Sequence, residues 1–278
     1  MWTVPPPPDP VGPLFLSCVT GIRYKDLKDL KDRLAKAAPS VADADRCYRE
    51  AGADRAFGRL HQADFELPGV TAREMTWLYE NKVVRKTAPG RRVYDAIRAA
   101  SPQGRCPLCG HRDVTTVDHY LPKSAYAALA VNPANLIPAC GECNRAKLAA
   151  VQDTLHPYYD NVERDRWLAA RVIKMDIPVV TFEVQPPESW SAGIADRVHR
   201  HFASFGLGPL YSMQAARLIS DIRSRLDVLL REKGPAAVRD HLKQDEESRR
   251  KADLNSWQAA CYGALAASDW FCAGGFRF

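Results

Sequence analysis

Asp118 and His119 stand side by side in the run Val-Thr-Thr-Val-Asp-His-Tyr-Leu-Pro-Lys-Ser, residues 114–124. An imidazole with a pKa of about 6.5 suits proton transfer at neutral pH, and a carboxylate is a hard oxygen ligand for a divalent cation. The run lies between two Cys-x-x-Cys pairs, Cys106 with Cys109 and Cys140 with Cys143. Such a pair can curl around one metal and present two thiolates at about 2.3 Å, and two pairs complete a tetrahedron. A closed four-sulfur shell leaves no position for water, so the zinc expected here is structural. A redox dithiol would not need a second matching pair. The 30 residues between Cys109 and Cys140 are long for a plain zinc ribbon, so further structure is expected inside the loop.

Taken in order, residues 106–147 give Cys-x-x-Cys, Val117-Asp118-His119, Asn135-Leu136, Cys-x-x-Cys-Asn144 and Lys147. This series resembles the HNH endonuclease family. The resemblance implies a ββα-metal core that hydrolyses phosphodiester bonds, with DNA as the substrate. On it, His119 takes a proton from water, Asp118 and Asn144 hold a catalytic Mg2+ or Mn2+, and Asn135 orients the His119 ring. Read without the family, Asn135 could equally cap a turn in Asn-Pro-Ala-Asn. The family's final position is commonly His; Asn144 replaces nitrogen by oxygen, which favours hard Mg2+ or Mn2+ over Zn2+ or Ni2+.

Spacing adds to this. A helix starting near Cys140 puts Cys140, Asn144 and Lys147 on one face. Lys147, with Lys123 and Arg145, is a candidate for phosphate contact. Neighbouring residues of a regular strand point to opposite faces, so Asp118 and His119 are expected at a strand end or on a distortion, with Pro122 helping to stop the ladder. His156, in His-Pro-Tyr-Tyr-Asp-Asn, reads either as an extra ligand or as a turn residue, the turn being favoured. Cys18, Cys47, Cys261 and Cys272 are expected as buried thiols, His199 and His201 as solvated, and Trp190, Trp257 and Trp270 as core.

With the runs Leu-Tyr-Glu-Asn-Lys (78–82), Gly-Arg-Arg-Val-Tyr-Asp-Ala-Ile (90–97) and residues 156–161, the chain also looks similar to HNH nucleases of bacterial anti-phage, Septu-like modules. That narrower resemblance implies the effector of a defence system and an ATPase or other defence partner protein. The competing reading is a zinc-stapled module that binds nucleic acid or protein without cleaving it. A pure binding module has no need of the Asp118, His119 and Asn144 set.

The elements that must position these residues read as follows. Residues 1–13 are Pro-rich, and from there to about 100 the signals are helical. Leu27, Leu30 and Leu34 form a stripe within residues 24–38, Thr71 and Glu74 have capping-box spacing, and Val93, Ile97 and Ala100 share a side of residues 90–101. Residues 101–160 hold the nuclease core, with a strand over Asp113–Tyr120 and a helix over 143–152. Residues 161–278 are mostly helical, with one strand at 179–184, a long helix capped at Ser212 and stopped at Gly234, and a buried C-terminal helix over 255–271. The expected class is α+β, mainly α: a ββα-metal core with a four-Cys zinc staple between helical N- and C-terminal regions.

Composition agrees with a folded protein: 278 residues, 46% hydrophobic and 26% charged. A net charge of +6 permits a polyanionic partner without requiring one. No apolar run reaches the roughly 20 residues of a membrane span. Since the start carries no signal-peptide pattern and the cysteines read as metal ligands, a cytoplasmic protein is the expectation.

Overall fold

The computed structural model describes residues 3–23, 27–147 and 153–277. They divide into two units, Trp2–Asn161 and Val162–Phe278, and every candidate site residue belongs to the first. The sequence suggested a border near residue 100; instead the helices before it and the nuclease core after it pack as one unit.

That unit begins with α1 (Val11–Thr20), α2 (Lys28–Lys36) and α3 (Ala38–Ala53), which pack on one another and bury Leu14, Phe15, Leu30, Leu34 and Tyr48. Residues 24–26, the start of the Leu-striped run, lie outside the described residues. The α4 helix (Ala72–Tyr79) opens with the expected capping box: Thr71 Oγ1 accepts from Glu74 N at 3.2 Å, and Thr71 N donates to Glu74 Oε2 at 2.8 Å. It runs directly into a π-helical turn, Glu80–Val84. Gly90 packs against that turn, where a Cβ would lie 2.9 Å from the Lys82 carbonyl oxygen, so the close approach requires glycine. The α5 helix (Arg91–Ala99) buries Val93, Tyr94 and Ile97. Ala100 falls beyond its end and is exposed.

β1 (Thr116–His119) and β2 (Leu136–Ala139) form an antiparallel hairpin with Thr116 opposite Ala139, Val117 opposite Pro138, Asp118 opposite Ile137 and His119 opposite Leu136. α5 packs on both strands. β2 is buried throughout, whereas β1 alternates half-buried and buried side chains. The α6 helix (Gly141–Lys147) starts one residue after Cys140 and packs on β1. The rest of the helix expected over 143–152 falls on residues outside the described set.

The second unit has its own hairpin, β3 (Leu168–Ile173) with β4 (Val179–Val184), followed by α7 (Ala192–Ser204), α8 (Leu207–Ala252) and α9 (Trp257–Ala267). β4 is the expected strand; its partner β3 was not expected, because Ala169 and Ala170 do not carry a β signal. α8 and α9 pack on each other and on the hairpin. One helix limit differs from expectation. Ser212 lies inside α8, which starts after Gly206 in the left-handed region at φ 58°. Gly234, at φ 78°, breaks the helical backbone as expected, and Pro235 restarts it as an N-terminal proline does. α9 is buried as expected, with Ser256 capping it. No described helix is long and apolar enough to cross a membrane.

Several side-chain expectations change. Cys47 is exposed, while Cys18, Cys261 and Cys272 are buried. His201 is fully buried and only His199 is exposed. Trp257 is core, whereas Trp190 and Trp270 are half-buried.

Candidate functional site

The sulfur atoms of Cys106, Cys109, Cys140 and Cys143 all lie within 4.8 Å of one another, and all four residues are buried. Zinc–sulfur bonds of about 2.3 Å in a tetrahedron place sulfurs roughly 3.8 Å apart, so the cluster fits one zinc ion. Two backbone donors already point at the sulfurs, Arg112 N to Cys109 Sγ at 3.4 Å and Cys143 N to Cys140 Sγ at 3.3 Å. Hydrogen bonding from Cys106 pushes the Cys109 and Cys140 thiols down, while Cys106 and Cys143 are pushed up by sharing their protons with the neighbouring sulfurs. Four thiols this close share protons because they cannot all ionise without a cation between them, which is the role of a structural metal.

The zinc cluster sets the position of α6. Cys140 and Cys143 bracket its first turn, and Gly141 N donates to Thr115 Oγ1 at 3.1 Å beside the start of β1. Asn144 is half-buried on α6, one residue beyond Cys143, and its backbone N bonds the Cys140 carbonyl at 3.0 Å.

His119 is the last residue of β1, at the strand end that was one of the two expected places. Asp118, just before it, is half-buried. The ring is buried: its Nε2 is 2.8 Å from the Ala130 carbonyl oxygen, and the Tyr79 ring meets it edge-on at 4.5 Å between centroids. A carbonyl only accepts, so Nε2 carries the hydrogen and Nδ1 keeps the lone pair. Burial pushes the His119 pKa down to about 3, with the Ala130 carbonyl pulling the other way and the charges of Lys123 and Lys147 adding to the fall. The ring is therefore neutral at neutral pH, the form a general base needs.

Asp118 Oδ1 accepts from His119 N at 2.7 Å, and Oδ2 lies 3.3 Å from Lys147 Nζ. Lys147 also donates to the His119 carbonyl oxygen. Lys147 is 3% exposed, so this expected phosphate contact points inward at the carboxylate instead.

Asn135 occupies a different place from the one the resemblance implied. Its Oδ1 accepts from Leu121 N at 2.7 Å, and its Nδ2 donates to Leu121 O at 3.0 Å and Leu129 O at 3.4 Å. The partner of the His119 ring is thus the Ala130 carbonyl, and Asn135 grips the two ends of the loop that presents it. Asn135 therefore fixes the loop that carries the acceptor for the imidazole, while the turn in Asn-Pro-Ala-Asn is capped by Asn132, whose Oδ1 accepts from Ala134 N at 2.9 Å.

His156 is buried in an aromatic cluster. Its Nε2 is 2.9 Å from Tyr48 Oη, its Nδ1 accepts from Tyr158 N at 3.1 Å, and its ring stacks on Phe57 at 5.0 Å. With Asp160 Oδ2 accepting from His156 N at 2.7 Å, it closes the turn, and both ring nitrogens are engaged away from any metal. Lys123 is half-buried, with Nζ 5.4 Å from the Tyr79 ring centroid on the His119 side of the site. Arg145 is exposed at the surface of α6, 3.5 Å from Glu142. Tyr79 and Ala130 were missed in the sequence. Nothing local marks Ala130, and Tyr79 reaches His119 only because α4 packs across the core.

Comparison with known proteins bears on this arrangement. Residues 106–149 match the family model described as HNH endonuclease. They form an HNH endonuclease domain. The match starts at the first zinc cysteine and spans both Cys-x-x-Cys pairs, Asp118-His119, Asn135 and Asn144. A relative, "Protein ea31" of Escherichia phage lambda, is 29% identical over 216 residues, 71% of this chain and 73% of its own. That likeness covers far more of the chain than the residues 106–149 of the family match. No solved structure matches significantly.

Proposed function

We propose that this chain is a metal-dependent endonuclease that hydrolyses phosphodiester bonds in DNA. The observation that carries this is the state of His119: inside an HNH domain, next to Asp118, with Nε2 bonded to a carbonyl and Nδ1 left as a neutral base.

The donors for the catalytic cation are Asp118 and Asn144, one carboxylate and one amide oxygen on packed elements. Their chemistry fits Mg2+ or Mn2+, and a buried ammonium already lies between Asp118 Oδ2 and the His119 carbonyl, so this corner favours positive charge. Bound there, the cation supplies charge stabilisation at the scissile phosphate and its leaving oxygen. His119 accepts the proton of the attacking water at Nδ1, while the Ala130 carbonyl holds the tautomer and supports the imidazolium that forms. The negative charge of an arriving phosphate raises the His119 pKa from its substrate-free value toward the working range. Asn135 keeps the Leu121–Leu129 loop, and hence Ala130, in register. Lys123 and Arg145 are the cations placed to meet the phosphate backbone.

A supercoiled-plasmid assay tests this. Nicking by wild type with Mg2+, lost in EDTA and lost by at least about 100-fold in His119→Ala, is the expected result. Equal nicking by wild type and His119→Ala removes the catalytic reading and leaves a zinc-stapled binding module. The defence role, with an ATPase or other partner that triggers cleavage, rests on the runs at 78–82, 90–97 and 156–161. Activity that appears only with the product of a neighbouring gene would support it.

A further inference from the structure

Of the charged side chains on α6, Glu142 and Arg145 are exposed and Lys147 is buried. Its ammonium meets Asp118 Oδ2 at 3.3 Å, donates to the His119 carbonyl and lies 5.3 Å from the centroid of the Tyr120 ring. A buried ammonium is tolerated only where it is paired, and these two oxygens are its partners. They belong to the two adjacent residues of the proposed nuclease centre. The helix that carries Lys147 also carries Asn144, and zinc fixes that helix through Cys140 and Cys143. The placement is therefore built into the fold rather than a chance surface pairing. A divalent ion at Asp118 would stand a few ångströms from Nζ, and repulsion between like charges in a partly buried site is strong.

We propose that Lys147 is a resident counter-cation of the catalytic centre: it occupies Asp118 in the metal-free protein, and Mg2+ or Mn2+ gains that carboxylate only by displacing it. The proposal rests on the nuclease reading, in which Asp118 is the metal ligand. It gives Lys147 a role opposite to that of a supporting residue. A supporting lysine would hold Asp118 ready, and its loss would weaken metal binding. A competing lysine weakens metal binding by its presence.

The test is Mn2+ binding to the zinc-loaded full chain, followed by the electron paramagnetic resonance of free Mn2+. Lys147→Met keeps the length of the side chain and removes the charge; Asp118→Asn removes the proposed ligand. Zinc content and thermal melting check that each variant folds. The expected result is binding about tenfold tighter in Lys147→Met than in wild type, and loss of that binding in both backgrounds on adding Asp118→Asn. A second measurement needs no variant: amine acylation of wild type read by mass spectrometry. Lys147 is expected to be protected without metal and to become reactive at saturating Mg2+ or Mn2+. Equal or weaker Mn2+ affinity in a folded Lys147→Met, or a Lys147 still protected at saturating metal, overturns the proposal while leaving the nuclease reading intact. Mn2+ binding that does not depend on Asp118 in either background overturns the metal reading beneath it.

Discussion

At the scale of single residues, the burial of His119 links the catalytic centre to stability. The folded protein holds this ring neutral down to a pH of about 3, whereas an exposed His takes up a proton below about 6.5. Between those values the unfolded chain binds more protons than the folded one, so stability rises with pH across the window. The contribution is complete above pH 6.5 and is lost as pH falls toward 3. From pH 6.5 to 5 the loss is about 2 kcal/mol. His119→Gln keeps a donor for the Ala130 carbonyl and removes the titration. Urea unfolding of both proteins at pH 6.5 and pH 5 should show wild type losing about 2 kcal/mol more than the variant. Both share the zinc site, so thiol protonation cancels in the difference, and equal losses would show that His119 is not held neutral. The types and order of Asp118, His119, Asn135 and Asn144 were legible in the sequence because each carries its chemistry in its side chain. The inward turn of Lys147 was not. It depends on how α6 lies across β1, bringing together residues 29 apart, and no local pattern encodes that angle.

At the scale of elements, α6 is the one the site most needs, since it carries Cys143, Asn144 and Lys147 and starts directly after Cys140. What holds it is the zinc shell at its first turn and the Gly141–Thr115 hydrogen bond. Cys143→Ser should therefore lose its zinc and, with it, several kcal/mol out of the roughly 10–16 kcal/mol that structural zinc binding is worth. Metal analysis and thermal melting, with and without EDTA, check this. Wild type should carry about one zinc per chain and melt lower in EDTA; a folded, stable Cys143→Ser would remove the staple. Elements were legible where pattern and chemistry coincide. The capping box of α4 and the β-branched run of β4 appear as read, since each depends on neighbours close in sequence. β3 was hidden because its Ala-Ala segment becomes a strand only by pairing with β4 and packing under α9, a tertiary effect that overrides propensity.

At the scale of the whole molecule, the division of the chain follows packing rather than motif. The HNH match begins at Cys106, yet the unit that contains it reaches back to the N-terminal helices. Tyr79 packs against His119, α5 covers both strands of the β1–β2 hairpin, and Tyr126 Oη donates to Leu60 O at 3.0 Å. The two ends of the unit are tied as well: Val4 N donates to Pro157 O at 2.9 Å. Sequence alone placed a border near residue 100 because composition changes there, but the contacts that erase it join residues far apart in the chain. A motif-sized fragment should then fail where a packing-sized one succeeds. Residues 101–161 contain all four cysteines, but they lack the helices that bury Leu129, Leu136 and Ile137. Stripping that cover exposes apolar side chains worth about 1.5–3 kcal/mol each, against a stability for a whole domain of about 5–15 kcal/mol. Residues 1–161 keep the cover. Expressed alone, this longer fragment should bind about one zinc and unfold in a single cooperative transition, while 101–161 should show no cooperative transition even with zinc present. Zinc analysis and circular-dichroism melting distinguish them. If the short fragment folds as well as the long one, the helices of residues 11–99 are an appendage to the HNH domain and not part of its core.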